Sequence, residues 1–533
     1  SYSLDLQLGK FQQKLNILTD IWTNIHQDIS EHRGLVEAMN NEDLEGNLWS
    51  FELEMVALEK KLMTFLNTRK FAFPKFALCS TPKVKAIFCY RNADNFNKWV
   101  SLLFPHVESL ILQKEVGNLI TGYITKSGFT RMFTTPISYN WPADYIACKL
   151  QEGLRSTFRE EISQNISTLT TKKSMQPSKH EAKYITLPMQ TTFVVRNLSF
   201  CMEFQRYFSD PPSQQKQHVV DMLIQQNNKL SNVAALIQDA KTEDITRKCN
   251  DALGIEVAIK QVIERFVEMV FDKDKYEHEK HEEIKTKWTS MLKYTMANKE
   301  PLDIQVNVLD KQLMFGFDET ADCSSIFLLA FRDEALGYMG KLLVHSFGSV
   351  LDGKAFTGRF STMQCFSQIL GRHLVPVAFF DYSKIDSLEN ILLSMEATQD
   401  FICFHNIDSE ASYNSLFTTI LCYHMKVKEF KSEKVREKEM ILKKISITGE
   451  KPEKFDSRIF FVTNFPTNDE MLYVGKEYRV VSIDKINLIQ MAQFALLSEQ
   501  FNTSMKLIQL VVIGLTIVSH QIKHHIHFTV KDM

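Results

Sequence analysis

Several signatures that would settle a function outright are missing from the 533-residue sequence. Its nine cysteines include no CxxC pair and are odd in number. That argues against a disulfide framework and favours a reducing compartment, where the Asn-x-Ser/Thr sequons at Asn165, Asn197 and Asn502 mean little. No GxSxG elbow is present, and no Cys–His pair suggests a nucleophile and its base. His278-Glu279-Lys280-His281 is one residue short of HExxH spacing and reads as solvent-facing. His520, His524, His525 and His527 could bring two imidazoles to one helix face, but no Cys or carboxylate set accompanies them, so no metal site is expected. An excess of either charge is also lacking: 62 Lys and Arg stand against 64 Asp and Glu. That balance gives no basic footprint for nucleic acid and no acidic tail. The longest apolar stretch, Leu507 to Val518, is interrupted by Gln509 and Gly514. It is too short to span a bilayer and reads as a buried helix, so no membrane partner is expected. The chain starts at Ser1 without a signal-peptide pattern. It is expected to be a segment of something soluble and larger. No internal repeat is visible.

What is present fits a globular protein of two or three domains. Hydrophobic residues make up 44% and charged residues 24%, ordinary proportions. Phenylalanine is abundant, 39 against 18 glycines, which predicts an aromatic-rich core. Residues 1 to about 208 are mostly helical in pattern, with Met55, Leu58, Leu62, Phe65 and Leu66 as an i, i+3/i+4 stripe that stops before Phe73-Pro74. Ser209-Asp210-Pro211-Pro212-Ser213 is a breaker. Helical patterns resume to about 298 and include the charge-dense run Asp272 to Lys287, read as a solvated face. Near residue 300 the character changes. Val375 to Phe380, Phe401 to Phe404 and Arg458 to Val462 read as buried strands between helical stretches, predicting βαβ units and a parallel sheet. The Lys/Glu-rich stretch 426–454 reads as a solvated insertion.

In such a unit a phosphate would sit in the loop after the first strand, where backbone N–H groups and a helix N-terminus converge. That loop reads Gly353-Lys-Ala-Phe-Thr-Gly358-Arg359-Phe360. A phosphate loop needs GxxxxGK[S/T]. Both glycines are correctly spaced, but Arg359 replaces the lysine and Phe360 the Mg²⁺-binding hydroxyl. By itself the match also describes an ordinary turn.

The order of neighbouring segments resembles the dynein heavy chain family. Leu58 to Leu66 with Arg69-Lys70, Pro74-Lys75-Phe76 and Ser80 is similar to the linker signature QKxLxxYLExKRxxFPRFxFLS. Phe315-Gly316-Phe317-Asp318 resembles the YGYE that opens the first AAA module, and Leu329 to Asp333 stands where the family has TPLTD. Ile402 to Asn406 resembles the Walker B strand CFDE. Phe461 to Pro466 resembles the sensor strand ITMNPGY, Ala495 to Phe501 the segment ending in SEGF, and His525 to Phe528 HYDF.

The resemblance implies a mixed fold: an all-α linker-like rod over 1–255, a helical connector over 256–310, and over 311–533 an α/β P-loop (AAA+) large subdomain with the start of its helical lid. It implies a microtubule-based motor as parent, in the cytoplasmic cytoskeleton, with a cilium or flagellum axoneme preferred. Other dynein chains and microtubules would be partners through parts of the parent beyond this segment. ATP or ADP would be the cofactor, with Gly353, Gly358, Arg359, Asp333 and Asn464 as binding positions. No catalytic residue is expected, because the Walker B positions hold His405 and Asn406. Imidazole and amide are poor ligands for Mg²⁺, a hard cation that prefers oxygen, and Asn406 cannot take a proton from water. The site is therefore expected not to hydrolyse ATP usefully. A non-motor scaffold that keeps the dynein shape is the alternative. A divergent helical protein outside the family is the reading to adopt if 310–500 forms no parallel sheet with the 353–360 loop at its carboxyl edge.

Overall fold

The computed structural model describes residues 2–31, 42–79, 93–113, 118–170, 187–239, 242–299, 301–309, 311–320, 329–353, 357–378, 400–407, 459–463 and 478–483, with a few isolated positions. The 426–454 stretch, Asn464 and the histidines from 520 onward lie outside the described residues.

Two long helices open the chain, α1 (Tyr2–Glu31) and α2 (Glu42–Ala72). They pair as a hairpin through Phe11 against Phe65 and Trp22 against Phe51, with ring centroids 5.9 and 5.3 Å apart. Ile25 and Leu44 are buried in the same seam. Of the predicted stripe, Phe65 contributes to this seam, Leu62 packs instead against the core around Phe73 and Phe76, and Met55 is exposed. As expected, α2 ends before Phe73-Pro74, where a short 3₁₀ turn (Pro74–Leu78) begins.

Helix α3 (Ala93–Leu103) leads into three strands, β1 (Val107–Gln113), β2 (Leu119–Thr125) and β3 (Thr130–Ser138), which form an antiparallel sheet in that order. This corrects the all-α expectation for 1–255. β3 alternates, with Arg131 and Phe133 buried between exposed Thr130, Met132 and Thr134, and Gly128 takes φ +80° in the β2–β3 turn. Period-two alternation around a left-handed glycine is a hairpin signal, and it outweighs the helical character of the flanking sequence.

Helices α4 (Ala143–Thr170), α5 (Met189–Tyr207), α6 (Pro212–Gln238) and α7 (Glu243–Phe271) then pack together, and residue 255 lies within α7. Arg196 of α5 and Glu256 of α7 form a bidentate buried pair at 2.6 and 2.8 Å, and Gln226 of α6 donates to the same carboxylate at 2.6 Å. The charged run becomes α8 (Glu277–Ser290), solvated along much of its surface but anchored by Lys280, Ile284 and Trp288. The expected helical connector is corrected from residue 293. There β4 (Lys293–Lys299), β5 (Leu302–Val308) and β6 (Lys311–Met314) form a second antiparallel sheet. Leu302, Ile304, Val306 and Val308 of β5 are buried and the residues between them are not, a strict strand period.

The α/β unit follows: α9 (Leu329–Val344), β7 (Gly348–Asp352), α10 (Arg359–Ile369), β8 (Leu374–Ala378), β9 (Phe401–Ile407), β10 (Ile459–Thr463) and β11 (Tyr478–Ser482). Its strands form one five-stranded sheet in the order β11-β7-β10-β9-β8, with every pairing parallel. The three strands predicted from apolar runs are β8, β9 and β10. The core is rich in phenylalanine as expected: Phe366, Phe401 and Phe460 are fully buried with centroids 5.4 to 6.0 Å apart. Of the apolar stretch 507–518, the described residues 509–514 are helical, with Leu510 and Ile513 exposed where a buried helix was expected.

The N-terminal units meet the α/β unit at residues 315–319. Gly316 N–H donates to the Leu370 carbonyl at 2.9 Å and Asp318 N–H to the Gly371 carbonyl at 2.7 Å. A Cβ on Gly316 would stand 2.6 Å from the Gly371 carbonyl oxygen, so only glycine permits this approach. Arg155 of α4 binds Asp318 through both carboxylate oxygens at 2.7 and 2.8 Å, and Arg131 of β3 binds Glu319. Lys75, His106 and His373 line the same small pocket.

Two stability predictions follow from these buried groups. Arg196→Ala would strand the Glu256 carboxylate and is expected to destabilise the chain by about 3–5 kcal/mol in denaturant unfolding. The second concerns acid. Burial, with Lys75 and Arg131 nearby, lowers the His106 pKa from 6.5 to about 3. Between those values the unfolded chain binds the proton and the folded chain does not, so stability falls as pH drops through this window, by at most about 1.4 kcal/mol per unit. His106→Asn is expected to flatten the stability–pH slope between pH 6.5 and 3; an unchanged slope contradicts the assignment.

Candidate phosphate-loop site

Strand β7 is flanked by β11 and β10, and the loop at its carboxyl end leads directly into α10. A strand–loop–helix unit of this kind presents backbone N–H groups and a helix N-terminus to a ligand at the sheet edge. The absence of this arrangement would have favoured the reading outside the family, and the parallel sheet is present. Both glycines have local reasons. Gly353 lies against β11, where a Cβ would stand 2.5 Å from the Ile483 carbonyl oxygen and 3.1 Å from Thr357 Oγ1. Gly358 is the N-cap of α10 at φ +80°, ψ 27°, with no atom near its missing Cβ, so conformation rather than space selects glycine. No side chain caps the helix there. Residues 354–356 lie outside the described residues.

The side chains at this loop differ from the phosphate-loop pattern. Arg359, at the lysine position, is buried, and its Nη1 donates to the backbone carbonyl of Thr463 at the end of β10. Burial lowers its pKa, and the neighbouring Asp352 carboxylate opposes that. The guanidinium thus spends one donor on the protein itself.

Phe360, at the hydroxyl position, faces His405 with ring centroids 5.0 Å apart at 46°. The two positions that would share a Mg²⁺ ion are therefore occupied by two rings in contact. This geometry does not fit the metal, because neither ring offers an oxygen ligand. Among the described residues, no group of three or more His, Cys, Asp or Glu is placed to hold a metal.

Asn406 has a structural explanation of its own. Phe461 pairs with Phe404 and Thr463 with Ile407, so His405 and Asn406 stand opposite the single residue Val462. This is a β-bulge, and Asn406 takes φ 59°. Asparagine is among the few non-glycine residues that tolerate left-handed backbone.

Asp333 does not join the site. It lies on α9, pairs with Arg265 of α7 at 2.7 Å, and lines a cavity of about 70 Å³ among Phe193, Trp288, Tyr294 and Leu336. Asn464 lies outside the described residues. The sequence reading missed the Thr463 carbonyl as the acceptor for Arg359. No side-chain pattern encodes it, because the contact is to backbone 104 positions away.

No protein-family model matches the chain. Among curated proteins it is similar to the ciliary dynein beta chain of Tripneustes gratilla, 19% identical over 403 residues, which is 75% of this chain and 9% of that protein. It is similar also to the flagellar outer arm dynein beta chain of Chlamydomonas reinhardtii, 19% identical over 377 residues, 70% of this chain and 8% of the relative. The chain thus spans under a tenth of the length of these relatives. The matches support a distant, dynein-heavy-chain-like relationship.

The backbone reasons given for Gly358 and Asn406 are separable by mutation. Gly358→Ala is expected to destabilise by about 1–2 kcal/mol for a left-handed L-residue. Asn406→Gly should be close to neutral, whereas Asn406→Val should destabilise more than either. Thermal unfolding of the three variants checks the order, and an Asn406→Gly loss as large as that of Asn406→Val contradicts the bulge assignment.

Proposed function

We propose that the chain is the rear of the linker and most of the first AAA+ module of a dynein-heavy-chain-like protein of microtubule-based movement, and that its nucleotide site does not hydrolyse ATP. The observation that carries the second half is the Phe360–His405 ring contact. Hydrolysis needs Mg²⁺ to neutralise developing charge and a carboxylate to orient the attacking water. The metal positions are filled by rings, and the carboxylate position is a left-handed asparagine in a bulge. Support for the first half is the parallel sheet with the 353–358 loop at its carboxyl edge, together with the distant matches to dynein beta chains. The names of those relatives, ciliary and flagellar, are the ground for placing the parent in a cilium or flagellum axoneme. There it would act with other dynein chains and microtubules.

The uncapped N-terminus of α10 behind Gly358 can still receive a phosphate. The site then acts as a rivet that holds ATP or ADP without metal. An empty site would instead be the scaffold reading, a dynein-shaped subunit that serves assembly.

Titration with fluorescent ATP and ADP, with and without Mg²⁺, is expected to give binding that EDTA leaves unchanged, and single-turnover assays no metal-dependent hydrolysis. Metal-dependent turnover that Arg359→Ala abolishes would sink the reading. Absence of binding would favour the scaffold. Replacing the ring pair, Phe360→Thr with His405→Asp, is expected to make nucleotide affinity sensitive to Mg²⁺.

A further inference from the structure

The cavity of about 70 Å³ beside Asp333 is walled by several parts of the fold. Phe193 and Phe200 come from α5, Ala258 from α7, Trp288 from α8, Tyr294 from β4 and Ile369 from the end of α10. The walls are held in place. Phe193 meets Tyr294 edge to face with ring centroids 6.0 Å apart, and Phe200 meets Trp288 in the same way at 6.0 Å, a favoured aromatic geometry. The Tyr294 hydroxyl donates to the Ile369 carbonyl. A void closes only as far as its lining can shift, and these contacts keep the rings apart.

The wall offers little to water. A buried water is held by about three hydrogen bonds to polar groups that would otherwise lack a partner. Here the polar groups are engaged with the protein: Asn197 Nδ2 donates to the Phe193 carbonyl at 2.9 Å, the Cys201 sulfur hydrogen-bonds to the backbone of Tyr294, and Asp333 binds Arg265 at 2.7 Å. Among the described residues, buried polar atoms without a partner occur elsewhere, as at His106, Gln261 and Asp400, and none of them is in this wall. Burial of apolar surface is then the main gain open to an occupant. An apolar cavity of about 150 Å³ takes up benzene. This one, at about 70 Å³, is roughly half as large, which suits a guest of about three or four heavy atoms.

We infer that this cavity is a binding site for a small uncharged apolar molecule, a short hydrocarbon or haloalkane, and that the guest ties the helical layer to the α/β unit. The tie follows from where the walls come from. The guest touches α5 and α7 on one side, and α9 and the end of α10 on the other. A ligand that binds only the seated arrangement stabilises that arrangement by mass action. This inference does not depend on the nucleotide site.

The test uses the full chain, with xenon and chloroform as probes and acetamide, similar in size but polar, as the control. Chloroform is expected to raise the thermal unfolding midpoint saturably, xenon NMR to show a saturable bound population, and acetamide to do neither. Ala258→Leu, which fills the cavity from α7, should weaken chloroform binding by about tenfold or more while the circular dichroism spectrum stays unchanged. Ala258→Val, a smaller insertion, should weaken it less but measurably, and it decides the matter if the leucine variant does not fold. Amide hydrogen exchange should slow in α7 and α9 together when chloroform binds. No saturable response to either probe overturns the inference. So does binding that the Ala258 variants leave unchanged, or acetamide binding as well as chloroform. Slowed exchange confined to α7 overturns the tie between the two units.

Discussion

Two arginines of the N-terminal half hold two consecutive carboxylates of the strip that enters the α/β half: Arg155 holds Asp318 and Arg131 holds Glu319. These contacts set how the antiparallel sheet meets the parallel one. Burying charge is costly unless the partner is present in good geometry, so the strip has few alternative seatings. The two carboxylates respond in opposite directions. Burial raises the Glu319 pKa, with Arg131 opposing it. Asp318 is also penalised by burial, but the bidentate Arg155 and nearby Lys75 hold it well below the usual carboxylate range. Behind them, Gly316 and Gly371 let two backbones approach where any side chain would separate them.

The clamp gives Phe315 to Asp318 a meaning that motif similarity does not supply. The segment is a packed, ion-paired junction between units. Asp333 follows the same logic: its pairing with Arg265 ties α9 to the helical layer. Asp318 and Asp333, the second of them an expected nucleotide-binding position, are thereby accounted for by packing.

At the phosphate loop the substitutions are mutually consistent. With Phe360 where the phosphate-loop pattern has a hydroxyl, an aspartate opposite it would face an aromatic ring. His405 provides a ring that packs there instead. Arg359 is long enough to reach across to β10 and satisfy the Thr463 carbonyl, a contact that makes the guanidinium part of the sheet edge. What remains of the site is backbone: the glycine positions and the helix start.

Much of the parallel sheet was legible in the sequence. Strands buried on both faces read as short apolar runs, and β9 and β10 do; the partly exposed edge strand β8 is apolar as well. The antiparallel sheets were less legible, because β1 to β3 are short segments set between long helices whose pattern dominates the surrounding sequence. At the candidate site, the departures from the phosphate-loop and Walker B patterns at Phe360, His405 and Asn406 were legible from residue identity alone. That Phe360 and His405 touch, that Asn406 lies in a bulge and that Arg359 binds a distant carbonyl required the fold. Those facts depend on strand register and on backbone groups far apart along the chain. The sequence carries neither, because every residue presents the same N–H and C=O until tertiary packing brings particular ones together.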